Sequence, residues 1–391
     1  MPRTKVTFLI SRFLDGGIDT ILVQYLNNLD RQKYDVSLVI ALNYEGLEVY
    51  KRLIASDVNV YYLVKDGLLT CFTKKKLRRK LSLGEKIIDA IALNPVRRIL
   101  QRVRLANILR DQDVVVDMDS MSHSFLGGFN GRKIAFFHFS IPEYCCGKER
   151  KIKRLGHKFN AYDKVVFVSD KMREQAVDLY PDQVGKFVMI YNPQNIEALQ
   201  ERASQFEVDD DDYIITIARI EESQKDYTTL IKAYRLAKDE LGDRLPKLRI
   251  IGKGQDRDAM QRLADELGLG DSVVFMGVMP NPMPWLVRAR AFVLSSKFEG
   301  LPVSLVEALL LNVPIIASDC PVGPREVLND GKCGTLVPVG DVNLMAKAIV
   351  EMVTDGEMVA RYKAQEAEHA KKFVWAEASR KFSELCEGLN K

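Results

Sequence analysis

The sequence predicts an α/β protein of two doubly wound domains, and three observations carry that reading. Short, almost uninterrupted apolar runs rich in Val and Ile recur along the 391 residues, as strands do when a parallel sheet is covered on both faces. Stretches of helical period fill the intervals, for example Thr228 to Ala237 and Asp256 to Leu267. A polar segment from Asn192-Pro193 through the acidic run Asp209 to Asp212 then splits the strands into two series, one for each sheet.

The first series is Val6 to Ile10, Val36 to Ile40, Val58 to Leu63, Val114 to Val116, Ile134 to Phe137, Val165 to Val168 and Phe187 to Ile190. The second is Tyr213 to Ala218, Leu248 to Ile251, Val273 to Met276, Ala291 to Leu294, Ile315 to Ala317 and Thr335 to Val337. The expected domains are 1–192 and 193–374. A last helix, 375–391, has no strand of its own. Open α/β sheets bind ligands beyond the carboxyl ends of their strands, so the chemistry is sought in loops that follow strands.

Net charge is +4, too little to imply nucleic acid, and no recognition motif accompanies it. The positive charge is local. Lys74, Lys75, Lys76, Arg78, Arg79, Lys80, Lys86, Arg97, Arg98, Arg102 and Arg104 are opposed within 74–104 only by Glu85 and Asp89. Leu77, Leu81, Leu83, Ile87, Ile88, Ile91, Ile99 and Val103 interleave with them, the pattern of a helix lying on an anionic membrane surface. The plainer alternative is a solvated helix whose apolar side packs on the sheet. Six cysteines occur without C-x-x-C spacing, which argues against a zinc site and for a reducing compartment. With no leader pattern at Phe8-Leu9-Ile10 and no apolar run of bilayer length, the expected location is cytoplasmic, peripheral on the inner face of the membrane.

The most informative stretch is Ser295 to Ala308, S-S-K-F-E-G-L-P-V-S-L-V-E-A. A buried strand ends, Glu299 and Gly300 form a loop, and a helix starts near Pro302, which suits a first helical position. The free N–H groups of that start favour an anion. Gly300 and Leu301 let a ligand approach the backbone, and Ser304 adds a hydroxyl. Glu307 lies eight positions beyond Glu299, so the two acids can read hydroxyls on either side of a diphosphate. Arg219 and Lys225 follow the first strand of the second series and are suited to the negative charge of a leaving diphosphate.

Glu299 to Glu307 resembles the E-x7-E signature of retaining glycosyltransferases of family four, also called glycosyl transferases group 1. Gly16-Gly17 resembles that family's first glycine loop, and Arg219 with Lys225 its Arg/Lys pair. Gly252-Lys253-Gly254, Phe275-Met276-Gly277 and Gly331-Lys332-Cys333-Gly334 fall in the expected order. The likeness is close in the second domain and scattered in the first. Asp19 and Ala218 depart from it, standing where the family often has Glu and Gly.

The resemblance implies the GT-B fold, two Rossmann-like domains facing a cleft, the last helix crossing back. It implies transfer, with retention, of a hexose or N-acetylhexosamine from a nucleotide diphosphate sugar, most often UDP-linked, to a glycan or glycolipid acceptor in cell-surface glycan assembly. Glu299 would orient the donor sugar and Glu307 the ribose; Arg219, Lys225, Gly16 and Gly17 would hold the diphosphate. Amides at Gly277 and Val278 would meet the base, and His138, ending the strand Ile134 to Phe137, would lie near the donor sugar. No cofactor or metal is expected. Asp117-Met118-Asp119 matches the D-x-D metal signature of another transferase fold, but that fold leaves Gly16-Gly17, Arg219/Lys225 and Glu299/Glu307 unexplained. Asp119 and Ser120 are instead expected on the acceptor side. Two rivals share the scaffold: a nucleotide-sugar epimerase and an inactive sugar-nucleotide-binding membrane scaffold.

Overall fold

Each of the expected apolar runs is a strand in the computed structural model, which describes residues 2–14, 16–77, 79–209 and 212–387. Arg78 of the basic stretch, Asp210 and Asp211 of the acidic run, and residues 388–391 of the final helix lie outside the described residues.

The first sheet contains β1 (Thr4–Ile10), β2 (Tyr34–Leu42), β3 (Asn59–Val64), β4 (Val114–Asp117), β5 (Arg132–Phe137), β6 (Lys164–Phe167) and β7 (Phe187–Met189). Their spatial order is β3-β2-β1-β4-β5-β6-β7, and every pairing is parallel. The second sheet contains β8 (Tyr213–Ile217), β9 (Lys247–Ile251), β10 (Val273–Gly277), β11 (Ala291–Leu294), β12 (Ile315–Ser318) and β13 (Thr335–Val337). Its order is β10-β9-β8-β11-β12-β13, again all parallel. Burial on both faces explains why these strands read as continuous apolar runs: β4, β11 and β12 are buried at every position.

The chain divides into two compact units: Met1–Val168 with Arg173–Ile190 and Ser379–Lys391, and Ser169–Met172 with Tyr191–Ala378. The final helix, Trp375–Glu387, is therefore shared between them. Packing explains the assignment. Within the first unit Phe382 sits among Phe8, Tyr25 and Tyr34, with ring centroids 6.1, 5.3 and 6.4 Å away. Arg132 of β5 donates to the Leu385 carbonyl at 3.2 Å and to that of Cys386. Within the second unit Tyr191 donates to Glu326 at 2.6 Å, and the Asp170 N–H donates to the same oxygen at 2.7 Å. Gln194 exchanges backbone bonds with Phe373 and Trp375 at 2.9 and 2.8 Å.

Candidate active site

In each sheet the strand order reverses once: between β1 and β4, and between β8 and β11. Loops leaving adjacent strands diverge at such a point and open a crevice. Gly16 and Gly17 follow β1, Arg219 and Lys225 follow β8, and Glu299 follows β11. These candidates thus stand at the switch points of their sheets.

In the second unit the two switch-point loops are stitched together. Ser295 Oγ donates to the Lys225 carbonyl at 2.8 Å, the Lys297 N–H to the Gln224 carbonyl at 2.8 Å, and Gln224 Nε2 to the Phe298 carbonyl at 3.3 Å. A short helix, Glu222–Lys225, stops because Asp226 turns left-handed at φ 51°. Asp226 is fixed there by the Thr229 hydroxyl at 2.8 Å and by Lys297 Nζ at 3.2 Å. The result places Lys225 Nζ on Glu299 Oε1. Ser296 Oγ donates to that same oxygen at 2.6 Å. The Lys225 and Glu299 side chains are only 11% and 7% exposed. A charge is tolerated at such depth when it is paired and hydrogen-bonded.

Arg219 is different. Its side chain is 60% exposed, 3.4 Å from Glu221 and 3.1 Å from Gln224 Oε1. The two cations expected to act alike on a diphosphate are thus one buried and one solvated, joined through the Gln224 segment. Two further neighbours of the pair escape sequence reasoning. Ser296 is foreshadowed only by the doubled serine at the strand end. Cys320, buried in the loop after β12, gives no signal; burial, and then the Glu299 charge, push its thiol up to about 12.

Pro302 is the N-cap of helix Val303–Leu310 rather than its first residue, and no side chain caps that start. The turn is packed from behind. Gly323 holds φ 97°, and a Cβ there would lie 2.5 Å from the Gly300 carbonyl oxygen and 2.8 Å from Pro302, so glycine is required. Asn192 Nδ2 donates to the Leu301 carbonyl at 3.3 Å. Ser304 is partly exposed on the first turn, whereas Glu307 is buried a turn later. Burial raises the Glu307 carboxyl to about 7, and Arg202 of helix Ile196–Ala203, 3.9 Å away, draws it back. Gly277 ends β10 at φ 75° and accepts from the Gly252 N–H at 2.8 Å, with Val278 exposed beyond it. Both lie two strands from β8, separate from the Lys225–Glu299 pair.

In the first unit Gly16 caps helix Gly17–Asn28, and its N–H donates to Asp19 at 2.8 Å. The Asp19 carboxylate is thereby engaged in capping, while Gly17 is exposed. His138, just past β5, is buried and stacked on Phe136 with ring centroids 6.0 Å apart. Burial pushes its imidazole down to about 4, so it is neutral at pH 7; Nε2 has no partner.

The basic stretch forms helices Cys71–Lys75, Leu83–Ile88 and Asn94–Leu109, the last two joined by a π turn, Asp89–Leu93. Its packed face is Arg97, Gln101, Leu105 and Leu109. Arg97 is held by Asp89 and the Leu69 carbonyl, each at 2.7 Å. The apolar residues face outward: Leu83 and Ile91 are 74% exposed, Ile99 64%, Val103 55% and Ile87 49%. Within 74–104 the interleaved apolar residues are therefore not the packed side; the apolar packing of this helix comes from Leu105 and Leu109 beyond that stretch. Ile87 and Ile99 would stand ~120° apart on a regular helix at ~100° per residue; the additional residue taken in by the π turn brings them to within ~20°. Among the described residues no helix is long and apolar enough to cross a membrane.

Residues 197–369 match the family model Glycosyl transferases group 1. A glycosyltransferase of Methanocaldococcus jannaschii is 27% identical over 286 residues, 63% of this chain and 70% of that protein. The N-acetylgalactosamine-N,N'-diacetylbacillosaminyl-diphospho-undecaprenol 4-alpha-N-acetylgalactosaminyltransferase of Campylobacter jejuni is 29% identical over 200 residues, 51% of this chain and 53% of that protein. Among solved structures, HepE of Anabaena in complex with UDP and glucose superimposes with a TM-score of 0.77 at 14% identity, covering 99% of this chain and all of that one. Residues 197–369 thus resemble a glycosyl transferases group 1 domain, in a chain with the GT-B fold.

Proposed function

We infer that the protein transfers a hexose or N-acetylhexosamine from a nucleotide diphosphate sugar, UDP-linked, to a lipid-linked or polysaccharide acceptor, with retention and without a metal. The observation that carries this reading is the buried Lys225–Glu299 pair at the switch point of the second sheet, with Ser296 on the same oxygen. Lys225 supplies a fixed cation for the diphosphate as its bond to the sugar breaks, in a dry setting where such a charge is most effective. Glu299 accepts from sugar hydroxyls, and Glu307, further along the helix, from the ribose. Arg219 closes over the phosphates from the solvent side. The HepE complex with UDP and glucose, and the Campylobacter relative's diphospho-undecaprenol substrate, support the choice of donor and acceptor class.

The acceptor reading includes an anionic membrane surface docked on 74–104, supported by the outward stripe of Leu83, Ile87, Ile91, Ile99 and Val103 flanked by lysines and arginines. The test is to incubate the protein with UDP- and GDP-sugars and a polyprenyl-diphosphate glycan, with and without EDTA, and to read the anomeric configuration of the product. A retained configuration, unaffected by EDTA, is expected. An inverted product, an activity that EDTA abolishes and Mn²⁺ restores, or epimerised donor without transfer would overturn it.

A further inference from the structure

Asp117 and Asp119, which take no part in the proposed transfer, stand two positions apart, the first buried and the second half-buried, each with its own set of donors. Asp117 is fully buried, at the end of β4. One of its oxygens, Oδ2, accepts from the Tyr162 hydroxyl at 2.5 Å and the Ser122 N–H at 2.7 Å. The other, Oδ1, is buried with no partner. A carboxylate in that position would leave a bare anionic oxygen next to a second carboxylate, an arrangement that favours one shared proton. Asp119 has the opposite surroundings. Its Oδ2 accepts from the Ser11 N–H at 2.9 Å and from the Ser11 hydroxyl, and its Oδ1 from the Met121 N–H at 3.3 Å. Ser11 is the first residue after β1, in the loop that leads to Gly16 and Gly17.

We propose that Asp117 and Asp119 are positioning residues, a carboxyl pair sharing one proton, which clamps the glycine loop after β1 in place for a diphosphate and releases it when that proton is lost. The diphosphate part rests on the function inferred above. Protonated Asp117 presents an O–H where its bare oxygen lies, with Asp119, whose Oδ2 holds Ser11, as the adjacent acceptor. Burial, and then the Asp119 charge, raise Asp117 to about 8. The titratable groups around the pair are Tyr162 beside Asp117, Lys158 of helix Glu149–Phe159, Tyr144 facing Asp119, and His138, whose ring bonds the intervening Met118 backbone. Above about pH 8 the second negative charge sets the two carboxylates against each other, and the Ser11 bonds are what gives way.

Hydrogen exchange on peptides containing Ser11 and Met121, compared with Asp117→Asn at equal pH so that intrinsic exchange cancels, reads the clamp directly. UDP titrations on the same proteins read its consequence. At pH 7 both proteins should protect these amides alike. At pH 9 wild type should lose protection by about tenfold, following one ionisation a unit above its midpoint. The Asp117→Asn variant should keep its protection there, with UDP affinity following the same pattern in both proteins. Asp119→Asn should lose protection at both pH values. Where Asp117→Asn does not fold, Tyr162→Phe serves: removing a donor that favours the ionised form should move the loss to higher pH. Equal loss in wild type and Asp117→Asn, or none in wild type, would overturn the clamp while leaving UDP binding intact. The expected exchange pattern with no UDP binding at any pH would overturn the diphosphate role and the nucleotide reading with it.

Discussion

Glu299 accepts from Lys225 and from Ser296 through a single oxygen, Oε1, although Lys225 lies 74 positions away. That leaves Oε2 for a further donor while the other oxygen fixes the carboxylate. Lys225→Ala is expected to lower kcat by about 10²-fold or more, the scale of one lost charge-stabilising donor. It should also destabilise the fold by about 3 kcal/mol, since Glu299 would be left buried without a counter-charge. Steady-state kinetics and denaturant melts check the two effects. The double variant Lys225→Met/Glu299→Met should be less destabilised than Lys225→Ala alone, because no orphan charge remains.

Arg219→Ala should separate the two properties. Its side chain is largely solvated, so stability should change by no more than about 0.5 kcal/mol, while turnover falls about 10²-fold. Equal melts with near-normal turnover would remove Arg219 from the diphosphate site.

Glu307 gives a pH dependence of defined sign. Its folded value, about 7, is above the ordinary 4.5, so between these values the native chain holds a proton that the unfolded chain has lost. The penalty of burying the ionised acid is fully present above about pH 7 and is relieved as pH falls toward 4.5. Glu307→Gln should therefore stabilise the protein at pH 8 and flatten its melting temperature across that window. Donor KM should rise in wild type as pH drops below about 7, because a protonated Glu307 accepts less well from a ribose, and Arg202→Ala should move that rise upward. A KM unaffected by pH in wild type would contradict the ribose assignment.

The sheets were legible because strands buried on both faces announce themselves as Val/Ile runs. The start of helix Val303–Leu310 was legible from Gly300 and Pro302. What escaped depends on contacts between distant segments. Nothing local couples Lys225 to Glu299 or marks Cys320. The stretch 74–104 shows the limit well: its period reveals an amphipathic helix but not which side is packed, and the packed side proves to be Arg97 and Gln101 rather than the isoleucines. The π turn at Asp89–Leu93, which aligns Ile87 with Ile99, has no signature in the residues themselves.

Because Ile91 and Ile99 project into solvent, Ile91→Glu and Ile99→Glu should leave the melt unchanged within about 0.5 kcal/mol. Each should weaken flotation with anionic vesicles by about tenfold, the equivalent of ~1.4 kcal/mol. Retained flotation in the double variant would remove the apolar stripe from membrane docking; absence of flotation in wild type would remove the membrane itself.

The central claim is that Lys225 and Glu299 mark a nucleotide diphosphate site, and thermal melts of wild type and Lys225→Ala with UDP, GDP and the free nucleosides test it most directly. Wild type should gain about 2.7 kcal/mol from a diphosphate at a hundred times its Kd, nothing comparable from the nucleoside, and Lys225→Ala should gain far less at the same concentration. A diphosphate that stabilises both proteins equally, or neither, would contradict the account.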